Sequence, residues 1–260
     1  MKICVIIPAY NEEARIGKTL EEYSGSLLRR YGKRLEILVV SESRDGTNAI
    51  VRSYSRKNKC IRLMAFNERL LKGGAVLKGF EYACSNGFDI IGFADADLAV
   101  SGDGIGRLLR HLRSPNVDGV IASRYVEGSR ILGRQSIMRY VGSRGYNILL
   151  RILFGFSYHD TQCGYKFFKK DALCKVMKRL VLTDMSFDLN LLHELGKSGA
   201  KIIEAPVVYR MGYEGSKVRV KRQLPQMLLV AFGYRIVRSP VRHLVPAELQ
   251  RSIYRGVKRL

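Results

Sequence analysis

The stretch IIGFADADLAV, residues 90–100, joins a short apolar run to two carboxylates and decides the fold. Its first four residues are typical of a buried strand, and Asp95 and Asp97 follow where that strand should end. Residues two apart project from the same face of a strand, so both carboxylates can approach one cation from the same side. A divalent cation that bridges phosphates needs only one or two protein carboxylates. For so short a motif, a solvated acidic loop is the alternative interpretation.

Further apolar runs of strand length lie in the first half of the chain, separated by segments of helical length and period. Together with residues 90–93, they cover residues 3–7, 35–40, 61–66 and 117–122. This alternation predicts an α/β fold with a mostly parallel central sheet flanked by helices. Ligands of such sheets bind at the carboxyl ends of the strands. We therefore expect the polar loops at residues 8–12, 41–46 and 95–97 to meet at one edge of the sheet.

The loop after the first predicted strand bears on which nucleotides the sheet could bind. A dinucleotide-binding enzyme would carry the pattern G-x-G-x-x-G there, whereas this chain has Pro8 followed by Glu12 and Glu13. The glycines at 102, 104 and 106 have the wrong place and spacing for that role. A nucleotide-binding oxidoreductase is therefore disfavoured.

The positive charge of the chain is concentrated in its second half. The formal net charge is +22, and residues 131–260 carry 24 basic and 8 acidic side chains. This half must meet a negative partner, which could be nucleic acid, anionic lipid head groups or a phosphorylated substrate. Nucleic-acid binding would fall steeply with salt. Because no nucleic-acid recognition motif is present, we do not expect nucleic acid to be the partner.

Two segments of the second half, 136–156 and 224–237, combine apolar residues with basic margins. Such helices can bury an apolar face in a membrane interface and hold anionic head groups at their margins. Alternatively, they pack on the sheet and their arginines are solvated. We predict a domain of residues 1–220 followed by a basic, amphipathic membrane-surface segment and tail, residues 221–260. No run reaches the roughly 18 to 20 apolar residues of a membrane-spanning helix, so none is expected.

Cysteine usage bears on the compartment. The five cysteines, at 4, 60, 84, 163 and 174, are odd in number and form no C-x-x-C pair. A disulfide framework or a structural zinc site is therefore not expected, and a reducing compartment is indicated. Together with the basic amphipathic segments, this predicts a peripheral position on the cytosolic face of a membrane.

Short motifs spread along the chain resemble one enzyme family. They are VIIPAYNEE at 5–13, DGT at 45–47, KGGA at 72–75, ADADLA at 94–99, SRY at 123–125, RYVGSRGYN at 139–147, DTQCGYK at 160–166, SFDLNLL at 186–192 and EGSK at 214–217. Their order and spacing resemble the GT-A glycosyltransferases of family 2, and among them the polyprenyl-phosphate sugar transferases. The DTQCGYK and EGSK motifs look most like those of dolichyl-phosphate glucosyltransferases, followed by dolichol-phosphate mannose synthases.

The resemblance implies a GT-A fold and an inverting, metal-dependent transfer of a sugar to a polyprenyl (dolichyl) phosphate. The donor it implies first is UDP-glucose, and GDP-mannose or another nucleotide sugar is the alternative. Asp95 and Asp97 would hold Mg²⁺ or Mn²⁺ on the nucleotide diphosphate, where the cation neutralises charge that builds on the leaving group.

The resemblance also assigns site residues. The nucleotide-sugar donor would be bound by Pro8, Tyr10, Glu12, Glu42, Lys72, Asp95, Arg210 and Lys217. The acceptor phosphate would be bound by Arg124, Arg139 and Ser143, where guanidinium groups suit a phosphate geometrically. Asp160 is the remaining acidic catalytic candidate. Because a phosphate acceptor is already ionised at neutral pH, Asp160 could orient groups instead of acting as a base.

Two departures from the family pattern leave the donor open. The acidic element D-D-G-S after the second strand is replaced here by Ser41, Glu42, Ser43 and Arg44, so Glu42 either replaces the base-contacting aspartate or that contact is lost. Within SFDLNLL, Asn190 stands where the glucosyltransferase pattern commonly has glutamate, which leaves Asp188 as the only carboxylate of that motif.

Overall fold

The computed structural model describes residues 1–133, 136–211 and 220–238, without the side chains of residues 139 and 220–222. Seven strands form a central sheet in the order β3-β2-β1-β4-β7-β5-β8, and β6 and β9 form a separate pair. The strands are β1 (Ile3–Ala9), β2 (Leu35–Ser41), β3 (Ile61–Ala65), β4 (Ile90–Ala94), β5 (Gly119–Ser123), β6 (Arg130–Leu132), β7 (Tyr165–Lys169), β8 (Ile202–Pro206) and β9 (Val208–Arg210).

Helices follow most of these strands. They are α1 (Ile16–Tyr31), α2 (Thr47–Lys57), α3 (Leu71–Ser85), α4 (Gly102–His111), α5 (Ile137–Phe154), α6 (Lys170–Val176), α7 (Phe187–Lys197) and α8 (Val220–Val237). The two basic apolar segments of the second half therefore form helices, α5 and α8.

The five strands expected from the apolar runs are β1 to β5, and the predicted mostly parallel sheet is confirmed. The pairs β1–β2, β1–β4, β2–β3 and β5–β8 are parallel. Strand β7 lies between β4 and β5 and is antiparallel to both. The sequence did not predict β7, whose insertion separates β4 from β5.

Both faces of the sheet are covered by helices, which explains the nearly continuous apolar sequence of its central strands. On one face, Ile16, Leu20 and Leu108 from α1 and α4 pack against Val5 and Ile37. On the other face, side chains of α3, α6 and α7 pack against the alternate residues of the same strands. The helices packed on both faces therefore hold the carboxyl edge of the sheet in a fixed position.

Helices α5 and α8 share a third, smaller core. Tyr146 and Leu150 of α5 pack with Val230 and Tyr234 of α8. Asn190 of α7 is fully buried beside them, and its amide donates to the Tyr234 hydroxyl (3.0 Å). None of the helices in the described ranges is both long and apolar enough to cross a bilayer. The predicted tail lies outside the described residues from 239 onward.

Candidate active site

The loops at the carboxyl edge of the sheet surround a cavity of about 440 Å³. Nine of the side chains that the motifs singled out line it, namely Pro8, Tyr10, Glu12, Glu42, Lys72, Asp95, Asp97, Arg124 and Ser143. The expected convergence of the loops after β1, β2 and β4 is therefore observed. The same cavity is also lined by Tyr146 on α5 and by Leu224 and Met227 on α8.

The two carboxylates that follow β4 line this cavity. Asp95 Oδ1 accepts from Lys72 Nζ at 2.8 Å. Asp97 Oδ1 accepts from the Ala99 amide at 3.1 Å and from the Tyr165 hydroxyl at 3.3 Å. Burial raises the pKa of Asp97, and the negative charge of Asp95 adds to this shift.

This donor set fits a divalent cation. Two carboxylates that repel each other are relieved by a shared cation, and Asp95 is 26% exposed toward the cavity. Within the described part of the chain, no group of three or more histidine, cysteine or carboxylate side chains could hold a metal ion. Asp95 and Asp97 alone would leave the other ligands of such a cation to a bound molecule or water.

A neighbouring loop holds Asp95 in place. The Asp95 amide donates to the Gly164 carbonyl at 3.1 Å, and a Cβ at Gly164 would collide with the Asp95 carboxylate. A glycine is required at 164 because the Asp95 carboxylate packs directly on the backbone there. The same loop is fixed by the fully buried Lys166, which donates to the Cys163 carbonyl at 2.6 Å and to Asp188 Oδ1 at 2.5 Å.

Tyr10 and Glu42, predicted to bind the donor nucleotide, both contact the same arginine. The guanidinium of Arg69 lies 3.3 Å from the centroid of the Tyr10 ring. Its Nη1 donates to Glu42 Oε1 at 2.9 Å. The other Glu42 oxygen accepts from the amides of Leu70 and Leu71, so Glu42 also caps the start of α3.

Glu12 and Pro8 form the adjoining wall of the cavity. Glu12 is 9% exposed and its Oε2 accepts from Arg15 Nε at 2.6 Å. The Glu12 amide donates to the Thr47 hydroxyl at 2.7 Å, which joins the loop after β1 to the start of α2. Glu12 thus has both a structural contact and access to the cavity.

Arg124 and Asp160 form a closed ion pair. Arg124 Nε and Nη2 donate to the two Asp160 oxygens at 2.7 and 2.9 Å, and the Arg124 amide donates to the same carboxylate at 3.0 Å. Asp160 is fully buried. Burial alone would raise the pKa of Asp160, but the Arg124 guanidinium outweighs it and holds that pKa below its usual range. The geometry suits an orienting role for Asp160 and not that of a base.

The remaining predicted phosphate-binding residues are placed differently. Ser143 lines the cavity and its hydroxyl lies 3.1 Å from the Tyr125 hydroxyl. The Arg210 side chain is exposed at the end of β9, and its amide donates to the Ala99 carbonyl at 2.8 Å. The side chain of Arg139 on α5 and the whole of Lys217 lie outside the described residues.

Sequence reasoning assigned no role to three residues that line the cavity and to one buried residue beside it. Lys166 belongs to the quoted DTQCGYK motif but had no assigned role, and Arg69, Tyr146 and Asp184 had none either. A lysine within an apolar strand was the available signal for Lys166. Arg69 and Asp184 come from loops whose local sequence contains no pattern for a site.

Solved structures similar to this one are GT-A glycosyltransferases, so the predicted GT-A fold is confirmed. Glucosyl-3-phosphoglycerate synthase from Mycobacterium tuberculosis, in complex with Mn²⁺, UDP and phosphoglyceric acid, is 18% identical with a TM-score of 0.68, over 90% of this chain and 78% of that one. Mannosyl-3-phosphoglycerate synthase from Rubrobacter xylanophilus is 17% identical with a TM-score of 0.64, over 91% and 74%.

The chain belongs to glycosyl transferase family 2, whose model matches residues 4–176. It is similar to a dolichyl-phosphate beta-glucosyltransferase of Dictyostelium discoideum, with 29% identity over 83% of this chain and 68% of the relative. A second relative of that name, from Trichomonas vaginalis, is 31% identical over 78% and 62%. The undecaprenyl-phosphate mannosyltransferase of Micrococcus luteus is 25% identical over 80% and 84%. The chain thus spans about two thirds of the length of the two dolichyl-phosphate beta-glucosyltransferases. As a member of glycosyl transferase family 2, it is a glycosyltransferase.

Proposed function

We propose that this chain transfers a hexose, glucose in the first instance, from a UDP-sugar to a polyprenyl phosphate at the cytosolic face of a membrane. The observation that carries the proposal is the continuity of the cavity. Its lining includes Tyr10 and Glu42 as well as Tyr146, Leu224 and Met227 of the α5–α8 pair. Such a cavity suits a polar donor and an acceptor whose phosphate must reach that donor while its polyprenyl chain stays in apolar surroundings.

Exposed apolar side chains on α5 and α8 support a membrane surface as the place of reaction. On α5, Ile137 is 82% exposed and Ile152 is 75% exposed, while on α8 Leu229 is 71% exposed. Spacings of three, four and seven residues place Leu229, Phe232 and Ile236 along one face of α8. Helices that expose apolar stripes beside arginines can lie in a lipid interface.

Arg124 and Ser143 are the residues proposed to position the acceptor phosphate. A guanidinium has five N–H donors, and Asp160 accepts hydrogen bonds from two donor nitrogens of Arg124, Nε and Nη2. Asp160 thereby fixes the plane of the guanidinium that lines the cavity. Because the acceptor phosphate is already ionised at neutral pH, positioning it is more useful than deprotonating it.

The donor end is proposed to bind a nucleoside diphosphate. A Mg²⁺ or Mn²⁺ ion held by Asp95 and Asp97 would neutralise charge on the leaving diphosphate. Burial alone would lower the pKa of Lys72, but the carboxylates of Asp95 and Asp188 outweigh it and raise that pKa. Lys72 therefore stays positively charged and can bind the same diphosphate.

The proposed reaction is a single inverting displacement. An oxygen of the acceptor phosphate forms a bond to the anomeric carbon while the bond from that carbon to the nucleoside diphosphate breaks. The diphosphate keeps the electron pair and leaves as the anion. The acceptor carries no proton that has to be removed, which is consistent with the burial of Asp160.

A mannosyl donor is the second candidate. It is favoured by the likeness to the undecaprenyl-phosphate mannosyltransferase, of which the chain covers 84%. Asn190, which departs from the glucosyltransferase motif, accepts from the Val181 amide at 2.6 Å and donates to the Tyr234 hydroxyl at 3.0 Å. These contacts support a packing role, so the departure favours neither sugar.

The decisive test is a transfer assay. The protein is incubated with dolichyl phosphate and, separately, UDP-glucose, GDP-mannose and UDP-N-acetylglucosamine, with Mn²⁺ or with chelator, and sugar lipid is detected by mass spectrometry. We expect product with UDP-glucose that is lost on chelation. Product with GDP-mannose alone would replace the donor, and no product with any donor would refute the proposed reaction.

Membrane binding is tested separately by sedimentation with anionic vesicles at physiological salt. Ile152→Asp, on the exposed face of α5, should weaken retention, whereas Asn58→Asp at the end of α2 adds the same charge and should not. Retention on DNA instead of vesicles would refute a membrane surface as the partner.

A further inference from the structure

Two buried hydroxyl groups beside the cavity, those of Tyr146 and Ser186, form no hydrogen bond of ordinary length and angle within the described residues. Tyr146 on α5 is 3% exposed and lines the cavity, and Ser186, directly before α7, is fully buried. Burial, followed by the charges of Asp184 and Asp188, raises the pKa of Tyr146, with a smaller opposing effect of the Ser186 hydroxyl. Tyr146 therefore stays protonated. A buried hydroxyl without a well-formed partner is costly, so the Tyr146 hydroxyl in the cavity wall indicates a ligand there.

A carboxylate that the motifs did not single out faces the same cavity. Asp184 is half-buried, and its Oδ1 accepts from the Ser186 amide at 2.9 Å. Burial raises the pKa of Asp184, and no cationic side chain within the described residues offsets that shift. An ionised carboxylate can accept several hydrogen bonds, so Asp184 retains capacity for hydroxyl donors.

The position of Asp184 is fixed relative to the donor end. The Gly74 amide donates to the Thr183 carbonyl at 2.9 Å, and a Cβ at Gly73 would collide with the Thr183 backbone and with Phe187. Lys72, the residue before Gly73, contacts Asp95 at 2.8 Å. The segment that carries Asp184 therefore packs directly on the helix start that carries the proposed diphosphate ligand.

Resting on the proposed function, we infer that Asp184 and Tyr146 bind hydroxyl groups of the donor hexose and help to select the sugar. They share the cavity with the Lys72–Asp95 pair and with Arg124, between which the transferred sugar must lie. A carboxylate accepts from sugar hydroxyls and the Tyr146 hydroxyl can donate or accept. The ligand class is a neutral, polyhydroxylated ring, since the charge of Asp184 disfavours a sugar acid.

The test compares the affinities of UDP-glucose and of UDP for three variants by isothermal titration calorimetry with Mn²⁺. Asp184→Asn keeps the acceptor for the Ser186 amide and removes the charge, and Tyr146→Phe removes only the hydroxyl. We expect Kd for UDP-glucose to rise about tenfold for Asp184→Asn and about threefold for Tyr146→Phe, with Kd for UDP unchanged. Asp171→Asn, an exposed aspartate of α6, is the matched control and should change neither value.

Calorimetry and steady-state kinetics together separate the other roles that these residues could have. Equal weakening of UDP and UDP-glucose would assign Asp184 to the nucleotide or to the fold. An increase in KM for dolichyl phosphate alone would assign Tyr146 to the acceptor. Either result overturns the inference and leaves the proposed function intact. If the wild-type protein binds no nucleotide sugar, the proposed function fails and the inference fails with it.

Discussion

The cavity contains two ion pairs that differ in how firmly they are held. Lys72 and Asp95 make a single contact of 2.8 Å, with side chains 18% and 26% exposed. Arg124 and Asp160 make a two-pronged contact of 2.7 and 2.9 Å, with side chains 9% and 0% exposed. The first pair can exchange partners when a ligand enters, whereas breaking the second would leave a buried charge uncompensated.

This difference indicates that the Lys72–Asp95 pair is available to a ligand, whereas the Arg124–Asp160 pair stabilises the fold of the site. Asp160 also accepts from the backbone amides of Arg124 and Gln162, so its carboxylate is committed to fixing its own surroundings. Under the proposed function, a cation would replace Lys72 as the partner of Asp95, and Lys72 would then bind the diphosphate. We therefore expect substitutions at the first pair to change activity more than stability, and substitutions at Asp160 to do the reverse.

The largest effect on activity is expected for Asp97→Asn. Loss of one of the two carboxylates suited to a cation should lower turnover about a thousandfold or more. The melting temperature should hardly change, because the substitution also removes the repulsion between Asp97 and Asp95. Turnover in the dolichyl-phosphate assay and thermal unfolding measure the two effects, and Asp103→Asn in the exposed first turn of α4 is the control. A fall of many degrees in melting temperature would show that Asp97 is structural.

The largest effect on stability is expected for Asp160→Ala. Leaving Arg124 buried without its partner should cost about 3 to 5 kcal/mol of unfolding free energy. In a chain of this size, that corresponds to a fall of roughly 10 °C in melting temperature. Glu81→Ala, which breaks the exposed pair with Lys78, is the control and should cost at most about 1 kcal/mol.

The pH dependence of stability tests the same pair. Folding lowers the pKa of Asp160, so its contribution is complete above the ordinary aspartate pKa of about 3.9 and is lost as the pH falls through the lower folded value. The difference in melting temperature between the wild-type protein and the Asp160→Ala variant should therefore shrink at strongly acidic pH. A difference that is constant with pH would mean that the carboxylate charge does not stabilise the fold.

Lys72→Met is expected to lower turnover by about 10 to 100-fold, because a charge-assisted contact to the diphosphate is lost. Stability should change little, since the methionine side chain can fill the space of the lysine stem and the unpaired Asp95 carboxylate is partly exposed to the cavity. Lys78→Met, on the exposed side of the same helix, provides the matched control. Unchanged turnover in Lys72→Met would show that Lys72 only neutralises Asp95 in the absence of ligand.

Local sequence patterns predicted the parts of the fold in which the pattern is strong. Strands β1 to β5 are short apolar runs bounded by polar loops, and the rule that ligands bind at carboxyl ends brought three of those loops together. Strand β7 was missed because Lys166 and Lys169 interrupt its apolar residues, and burial of Lys166 depends on Asp188, which lies 22 residues away. No local pattern contains that partner.

Motifs likewise singled out nine residues that the fold brings to one cavity, but they did not predict how these residues pair. Arg124 and Asp160 are 36 residues apart, and each was assigned a separate role before the structure showed them bonded. Leu71 has a φ of 62°, a left-handed conformation that a leucine rarely adopts, and it is supported there by Glu42. Such features arise from the folded environment and have no signature in the local sequence.

Arg69 provides a third kind of cation in the cavity, more exposed than either of the paired ones. Its side chain is 47% exposed, yet it covers the Tyr10 ring and bonds Glu42 Oε1. Both of these groups were predicted to contact the donor nucleotide. A base that stacks on Tyr10 and bonds Glu42 must therefore displace the guanidinium, which can swing into solvent.

Arg69→Ala should consequently tighten the binding of UDP by about two- to fivefold, because it removes an occupant that competes for the same ring and carboxylate. Glu42 would still be held by the amides of Leu70 and Leu71, so its position should persist. Calorimetry with UDP measures the change, with Arg44→Ala, an exposed arginine of the loop after β2, as the control. Weaker binding in Arg69→Ala would instead mean that Arg69 remains in place and contacts the nucleotide. Arg69 would then be a fixed cation, like Arg124, and not an exchangeable one, like Lys72.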